Sequence, residues 1–571
     1  MRLKVKTKNG YMKKFKVSRR DTFVPFGSDG TLFRSSERQQ IIDYIVRSKI
    51  KDGGAELDES SELGKHIVQS FPLHMYSRLD AIRHSWVTFW KREKPGEIAK
   101  PWSPFSQPYY STYMKIKDAC GYVFSNIFTQ PLDAVAEYFG EGIAFYFAYM
   151  VFYTRWLAVP SILGLVVFCF QMSGEDMDHW LLIPYSVFII FWACFMMVFW
   201  RQKSSYLAHR WGVLDFEAEE TDRPQFRGKY IYHESTGEVR KTYSFWKRMG
   251  KYVVTIPVMI ISVFSVLVVM TTVFASQEKR LREYRSGEPL NFTPTLTLLH
   301  ARKLFLLDSF YENVRDIRKL SVSELRNSNY LLVTFFYPCL YGMLISMITT
   351  IFQFIAQWLN DFENHRTQTR YLNRLILKVF SFDFVTVFTS LYYYAFATER
   401  KDVAYFQISV TIFSLMTVGQ WWSVLLNIFL PSVYQRALLY SMRANLSHTN
   451  RLIYQARSYL DRHRLPNNEI NSAISAKLEK RIRLLEEAKS KCWEEALLSK
   501  YDTFNDYTNA VIQIAFLLCF SAVFPLSPLI AMINNIFLIR VNAYKLCYTR
   551  QRPVAQKTGS IGVWADVLQI M

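Results

Sequence analysis

Long apolar runs dominate the chain from about residue 144 onward, and charged stretches separate them. A bilayer core needs about 20 consecutive, mostly apolar residues per helix. Eight runs meet or approach that length, at about 144–171, 180–200, 252–275, 330–354, 373–397, 403–430, 506–524 and 528–548. Phe524-Pro525-Leu526-Ser527-Pro528 joins the last two and predicts a tight turn. The pattern before the first run is different. Leu3, Val5 and Thr7 alternate with Lys4, Lys6 and Lys8, and Asn9-Gly10 leads into mixed alternation from Tyr11 to Val17. Alternation on both sides of Asn-Gly predicts a β-hairpin, because both turn residues need positive φ. A transit peptide is the rival reading, since the first twenty residues carry no acid, but the period is that of a strand. Ser35-Ser36-Glu37 then precedes a predicted helix from Arg38 to Ser48, apolar at Ile41, Ile42, Tyr44, Ile45 and Val46, and Gly53-Gly54 breaks it. The expected fold class is an α-helical polytopic membrane protein. It has an N-terminal cytoplasmic α+β domain over 1–140, a transmembrane region over 141–548 and a cytoplasmic segment over 549–571.

Lys and Arg placement orients the spans, because cytoplasmic loops carry the excess. The loop 172–179 has neither, but holds Glu175, Asp176 and Asp178, and the turn 525–528 has neither as well. Both read as outside. The stretches 201–251 and 432–505, and the end near Arg550 and Arg552, are basic and read as inside, with the N-terminus. The loop 276–329 runs against this, with Lys279, Arg280, Arg282 and Arg285 just past a span. Of the two sequons, Asn291-Phe292-Thr293 falls outside and Asn445-Leu446-Ser447 inside, so Asn291 is the glycosylation candidate. Within 432–505, Ile470, Ile474, Leu478, Ile482 and Leu485 recur at helical spacing and predict a cytoplasmic helix, packed on neighbours or laid on lipid.

Composition changes this picture little. The formal charge of +21 suits basic loops facing anionic lipid, and no zinc-finger spacing or basic helix leading into heptads points to nucleic acid. The seven cysteines include no CxxC, and the segments read as outside contain none, which excludes an extracellular disulfide framework. No apolar core of signal-peptide type opens the chain. No nucleophile–base pair or phosphate-binding glycine loop suggests an enzyme.

The polar residues inside the spans carry the candidate chemistry, since such groups are costly in lipid and face protein or water. The fifth span holds Lys378, Asp383, Thr386, Thr389 and Ser390; the sixth holds Thr411, Ser414, Thr417, Gln420, Ser423 and Asn427. The seventh holds Asn509 and Gln513, and the eighth Asn534, Asn535, Arg540 and Asn542. Two readings stand: a polar path for ions or lipid head groups, or hydrogen bonding between helices. Lys378, near the cytoplasmic end of its span, also fits simple snorkelling. Pro257, Pro338 and Gly419 are candidate bends.

Several stretches resemble the anoctamin family. They are Tyr138-Phe139-Gly140-Glu141 leading into Ile143 to Ala148; Trp211 to Asp215 with Arg223-Pro224-Gln225-Phe226; Asp361 to Thr367; Phe524 to Pro528 with Asn534-Asn535; and Arg552-Pro553-Val554 with Ile561 to Trp564. The N-terminal part looks most like the family's intracellular branch. The resemblance implies a ten-span subunit of a homodimer that scrambles phospholipid, conducts ions such as chloride, or does both. Its hydrophilic groove is lined by the third to seventh spans and lies in an intracellular membrane such as the endoplasmic reticulum. Groove candidates are then Lys378, Asp383, Thr386, Thr389, Ser390, Thr417, Gln420 and Gln513. The family's calcium positions fall on Ser423 and Asn427 ahead of Pro431, on Asp506 and Asn509, and on Leu538 and Asn542 around Arg540. Of five carboxylate positions only Asp506 keeps its acid, so the expectation is no calcium gating at this site and no other cofactor. The chain ends where the family continues into two further spans, so the expectation is either a truncated product or a protein that lacks those spans. A homodimer is expected only if those spans exist. The reading from another class is a non-conducting tether or scaffold in the endoplasmic reticulum membrane.

Overall fold

The computed structural model describes residues 4–6, 12–14, 23, 32–48, 50, 53–57, 69–86, 130–174, 179–214, 223, 226–233, 238–286, 328–397, 401–438, 440–441 and 494–571. The predicted helix around Ile470 to Leu485 and both sequons, Asn291 included, lie outside these residues. Among the described residues, six helices are long and apolar enough to cross a membrane: Glu141–Ser173, Leu182–Trp211, Phe245–Met270, Phe336–Phe362, Gln368–Ala395 and Ser527–Thr549. On three of them whole faces of large apolar side chains stay exposed, among them Ile162, Phe170, Ile190, Phe195, Ile260 and Phe264. A water-soluble fold does not leave such continuous apolar faces uncovered, and lipid does cover them. The chain is a multi-pass α-helical membrane protein. The sixth predicted span begins with Lys401–Ser414 and passes through two π-helical turns, Leu415–Gly419 and Leu425–Phe429. The seventh is Phe504–Phe520, only 17 residues long.

The first span differs from the uniform run expected over 144–171. Glu141–Trp156 is apolar all round and buried at 13 positions, so it is a core helix, as all-round apolarity in a packed fold requires. Only the continuation, Ala158–Gly174, turns apolar residues outward. The break at Leu157 has a local cause. Pro160 has no N–H to give the carbonyl of Trp156 four residues back. The indole Nε1 of Trp192, on the next helix, donates to that carbonyl at 2.9 Å instead.

In the N-terminal part, Lys4–Lys6 pairs antiparallel with Met12–Lys14, and Val5 faces Lys13. A second hairpin, Lys229–His233 with Glu238–Thr242, was not anticipated. The helix expected from Arg38 to Ser48 spans Ser35–Arg47, and the backbone N–H of Arg34 donates to Glu37 Oε2 at 3.0 Å at its start. Its buried face is the polar one. Ser35, Ser36, Glu37 and Gln40 are buried, while Ile42, Tyr44 and Ile45 are exposed. The reason is what it packs on: Gln40 donates to the carbonyl of Ala555 at 2.8 Å and Lys557 pairs with Glu37 at 3.2 Å.

Distant motifs meet in pairs. Arg552 donates to the carbonyl of Tyr138 at 2.7 Å and lies 3.9 Å from the centre of its ring. Gly140 has φ +104°, and a Cβ there would sit 2.9 Å from that of Ala555, so glycine is required twice over. Asn364, itself at φ +58°, accepts from the backbone N–H of Arg227 at 3.0 Å and donates to its carbonyl at 2.8 Å. Trp564, on the last helix Val563–Ile570, stacks against Tyr507 and meets Phe504 and Phe380 edge-on, tying the seventh and fifth spans together.

His74 sits at the same junction. Its Nε2 lies 3.3 Å from the carbonyl of Arg550, its Nδ1 lies 3.2 Å from the Tyr138 hydroxyl, and its backbone N–H donates to Glu495 at 2.9 Å. The Arg550 carbonyl can only accept, so the neutral ring carries its proton on Nε2, and Nδ1 accepts from the Tyr138 hydroxyl, which in turn accepts from Met75 N–H at 2.8 Å. Burial lowers the His74 pKa from 6.5 to about 4, and the charges of Arg552 and Arg83 act the same way against the Arg550 hydrogen bond. A depressed folded-state pKa gives stability that is complete above pH 6.5 and is lost as pH falls toward 4. The ceiling is about 3 kcal/mol. Burial raises the Glu495 carboxyl, which works in the opposite sense just above its ordinary range. Thermal midpoints of the wild type and His74→Gln, measured from pH 7 to pH 4.5, isolate the histidine. The wild type should lose more than the variant across that window, and parallel curves would refute the assignment.

Candidate functional site

Polar groups on four apolar spans face one another around a cavity of about 120 Å³. The fourth span, Ser328–Phe362, contributes Ser346, Thr349, Thr350 and Gln353. Their spacing of three and four residues puts them on one helix face. The fifth, Gln368–Tyr392, contributes Asp383; the sixth contributes Gln420 and Ser423; the seventh contributes Asn505, Thr508, Asn509 and Gln513. Asp383 is 2% exposed and its Oδ1 accepts from Thr349 at 2.9 Å, while Oδ2 has no hydrogen-bond partner. Gln513 Oε1 is buried without a partner too. Gln353 donates to Asn505, which links the fourth and seventh spans along the cavity wall.

The fourth and sixth helices close the cavity where two glycines meet. A Cβ on Gly342 would lie 3.4 Å from the Cα of Gly419, in van der Waals contact, so the two backbones approach to within about a methyl group of each other. Gly419 ends the π-helical turn Leu415–Gly419. Such turns leave backbone groups without their regular partners. Asn534 on the eighth span donates to the carbonyl of Met416, within that turn, at 2.7 Å.

The other groove candidates are elsewhere. Thr386 donates to the carbonyl of Phe382 at 2.8 Å, Thr417 to that of Phe413 at 2.5 Å, Ser390 to that of Val387 at 3.4 Å, and Thr389 to that of Val385. These hydroxyls bond their own helix. Lys378 pairs with Glu363 at 2.7 Å and donates to Asn360 Oδ1 at 2.8 Å. His365 Nε2 lies 2.9 Å from the same Glu363 oxygen, so the buried Glu363 and His365 and the partly buried Lys378 form one cluster.

The six positions carried over for calcium meet different partners. Ser423 and Asn509 line the cavity, and Asn427 falls in the π-helical turn Leu425–Phe429. Leu538 is buried and offers no oxygen. Asn542 donates to the Tyr146 hydroxyl at 2.6 Å. Asp506 is buried against Lys545, whose Nζ lies 3.1 Å from each carboxylate oxygen. Sequence reasoning missed Lys545 and the fourth span's stripe, and it named Asn534 without its partner. The stripe was readable from its helical spacing. The other two partnerships form only through tertiary contacts.

A family model described as "Anoctamin: Calcium-activated chloride channel" matches residues 135–571. Among curated relatives, Anoctamin-10 of Mus musculus is 25% identical over 445 residues, covering 77% of this chain and 56% of that protein. Anoctamin-10 of Danio rerio is 25% identical over 583 residues, covering 99% of this chain and 73% of that protein. Anoctamin-7 of Homo sapiens is 26% identical over 491 residues, covering 77% and 47%. The chain therefore spans about half the length of several of its relatives. With the family model matched over most of its length, the chain belongs to the anoctamin family.

Proposed function

We propose that this chain moves phospholipid head groups, ions such as chloride, or both across an intracellular membrane along the polar cavity of its fourth to seventh spans. The observation that carries the reading is the cavity wall. Apolar helices turn Thr349, Asp383, Gln420 and Gln513 toward a common space and leave two buried oxygens without partners. Such residues within membrane spans mark pathways for polar cargo. At about 120 Å³ the space suits about four waters, so a head group enters only when the fourth and sixth helices part at Gly342 and Gly419. The two π-helical turns of the sixth helix are where its geometry changes at least cost. The N-terminal resemblance supports the endoplasmic reticulum or another internal membrane as the host.

Reconstitution tests this. Liposomes carrying labelled phospholipid on both leaflets and a trapped chloride gradient should show faster lipid exchange, ion flux, or both when the full chain is present. Protein-free rates for both, with and without calcium, would sink the transport reading and leave the tether.

A further inference from the structure

We infer that Lys545 is a tethered cation that stands in for a soluble divalent ion at Asp506, and so fixes the seventh span to the eighth without calcium. The inference concerns regulation of the site just described and rests on that reading.

The argument starts from donors. Calcium takes six to eight oxygen ligands, and its affinity follows their charge. Asp506 is the only acid among the six carried-over positions. Among the described residues, no group of three or more His, Cys, Asp or Glu is placed to hold a metal ion. Leu538 brings a buried hydrocarbon into the set. The Asn542 amide is turned to donate to Tyr146, so its nitrogen faces a hydroxyl. These residues do not fit a divalent ion.

They do fit an ammonium. Lys545 Nζ bridges both oxygens of Asp506 at 3.1 Å, and both side chains are 9% exposed. The Tyr501 hydroxyl donates to Asp506 Oδ2 at 3.4 Å, and its ring lies 5.2 Å from the ammonium. Asp502 and Arg550 add one further acid and one further base to this pair electrostatically, so the charges stay matched without a soluble ion, and an aromatic face lies by the ammonium. Lys545 begins the π-helical turn Lys545–Thr549 that ends the eighth span, while Asp506 lies in the first turn of the seventh. The pair therefore spans two helices, as a bound ion would. A soluble cation entering here would meet an ammonium already seated on the carboxylate, and like charges this close exclude each other.

Thermal midpoints of the purified full chain in detergent, with chelator or with 1 mM calcium, test this apart from transport. The wild type should give the same midpoint in both. Two further variants differ only at Lys545: Leu538→Glu/Asn542→Asp, and the same pair with Lys545→Gln. The variant lacking the ammonium should be stabilised by calcium at concentrations at least tenfold lower. Equal calcium responses in the two would overturn the inference. So would a calcium-induced rise in the wild type that Asp506→Asn abolishes, and this arm decides the matter if the variants fail to fold. A chain that ignores calcium but does not transport would refute the transport reading and leave this one standing.

Discussion

Replacing Lys378 by methionine should destabilise the protein by about 3–5 kcal/mol, because it leaves a buried carboxylate without its main counter-charge. Glu363 is 1% exposed and has no place to recover water. Its Oε2 is held by Lys378 at 2.7 Å and by His365 at 2.9 Å, and Oε1 already lacks a partner. Burial alone would raise the Glu363 carboxyl, but the hydrogen bonds from His365 and Lys378 outweigh it and hold the group below the usual range. Its contribution is therefore complete above the ordinary carboxylate range and is lost as pH falls through the lowered value. Asn360 joins the cluster to the fifth span by donating to the carbonyl of Tyr371 at 2.9 Å, so the damage should spread to the turn between the fourth and fifth spans. The neutral double variant Glu363→Gln/Lys378→Met should recover much of the loss, since both charges leave together. Thermal midpoints at neutral pH decide it. A Lys378→Met chain with the wild-type midpoint but slowed transport would return Lys378 to the path and remove it from the scaffold.

The same residue shows how far the sequence could be read. A lysine inside an apolar span was legible as a costly charge, and both snorkelling and a path explained it equally well. Its partner in the structure is Glu363, fifteen residues earlier and beyond the end of another helix, which no periodicity connects to it. Thr386, Thr389, Ser390 and Thr417 do not line the cavity, and there is a physical reason why residue type alone could not tell: a hydroxyl in a helix satisfies itself on a carbonyl of the preceding turn. Asp383, Gln420 and Gln513 cannot satisfy themselves that way, and these three do line the cavity. The spans were legible because lipid imposes length and apolarity together. The core helix Glu141–Trp156 was not separable from them, since a helix buried in protein and one buried in lipid carry the same residues. Likewise the helix Ser35–Arg47 was legible by its period but not by its face, because its partner is a polar segment more than five hundred residues away.

Making the cavity wall apolar with Asp383→Leu/Gln513→Leu should slow transport by about 10–100-fold. Cargo stripped of part of its water depends on such groups for hydrogen bonds, and bonds to charged partners contribute about 1.5–3 kcal/mol each. A barrier higher by about 1.4 kcal/mol slows passage tenfold. The fold should respond in the opposite direction. Asp383 Oδ2 and Gln513 Oε1 are buried without partners, so the folded protein carries their desolvation cost. Leucine removes both unmet oxygens, and only the Thr349 bond to Asp383 is lost in exchange. The thermal midpoint should therefore hold or rise while lipid exchange and ion flux fall. This divergence separates a path from a scaffold, because a residue kept for interhelical hydrogen bonding lowers stability when it is removed. Wild-type transport in the double variant would mean that cargo crosses elsewhere. A fall in midpoint that matches the fall in rate would make these residues structural and the cavity incidental.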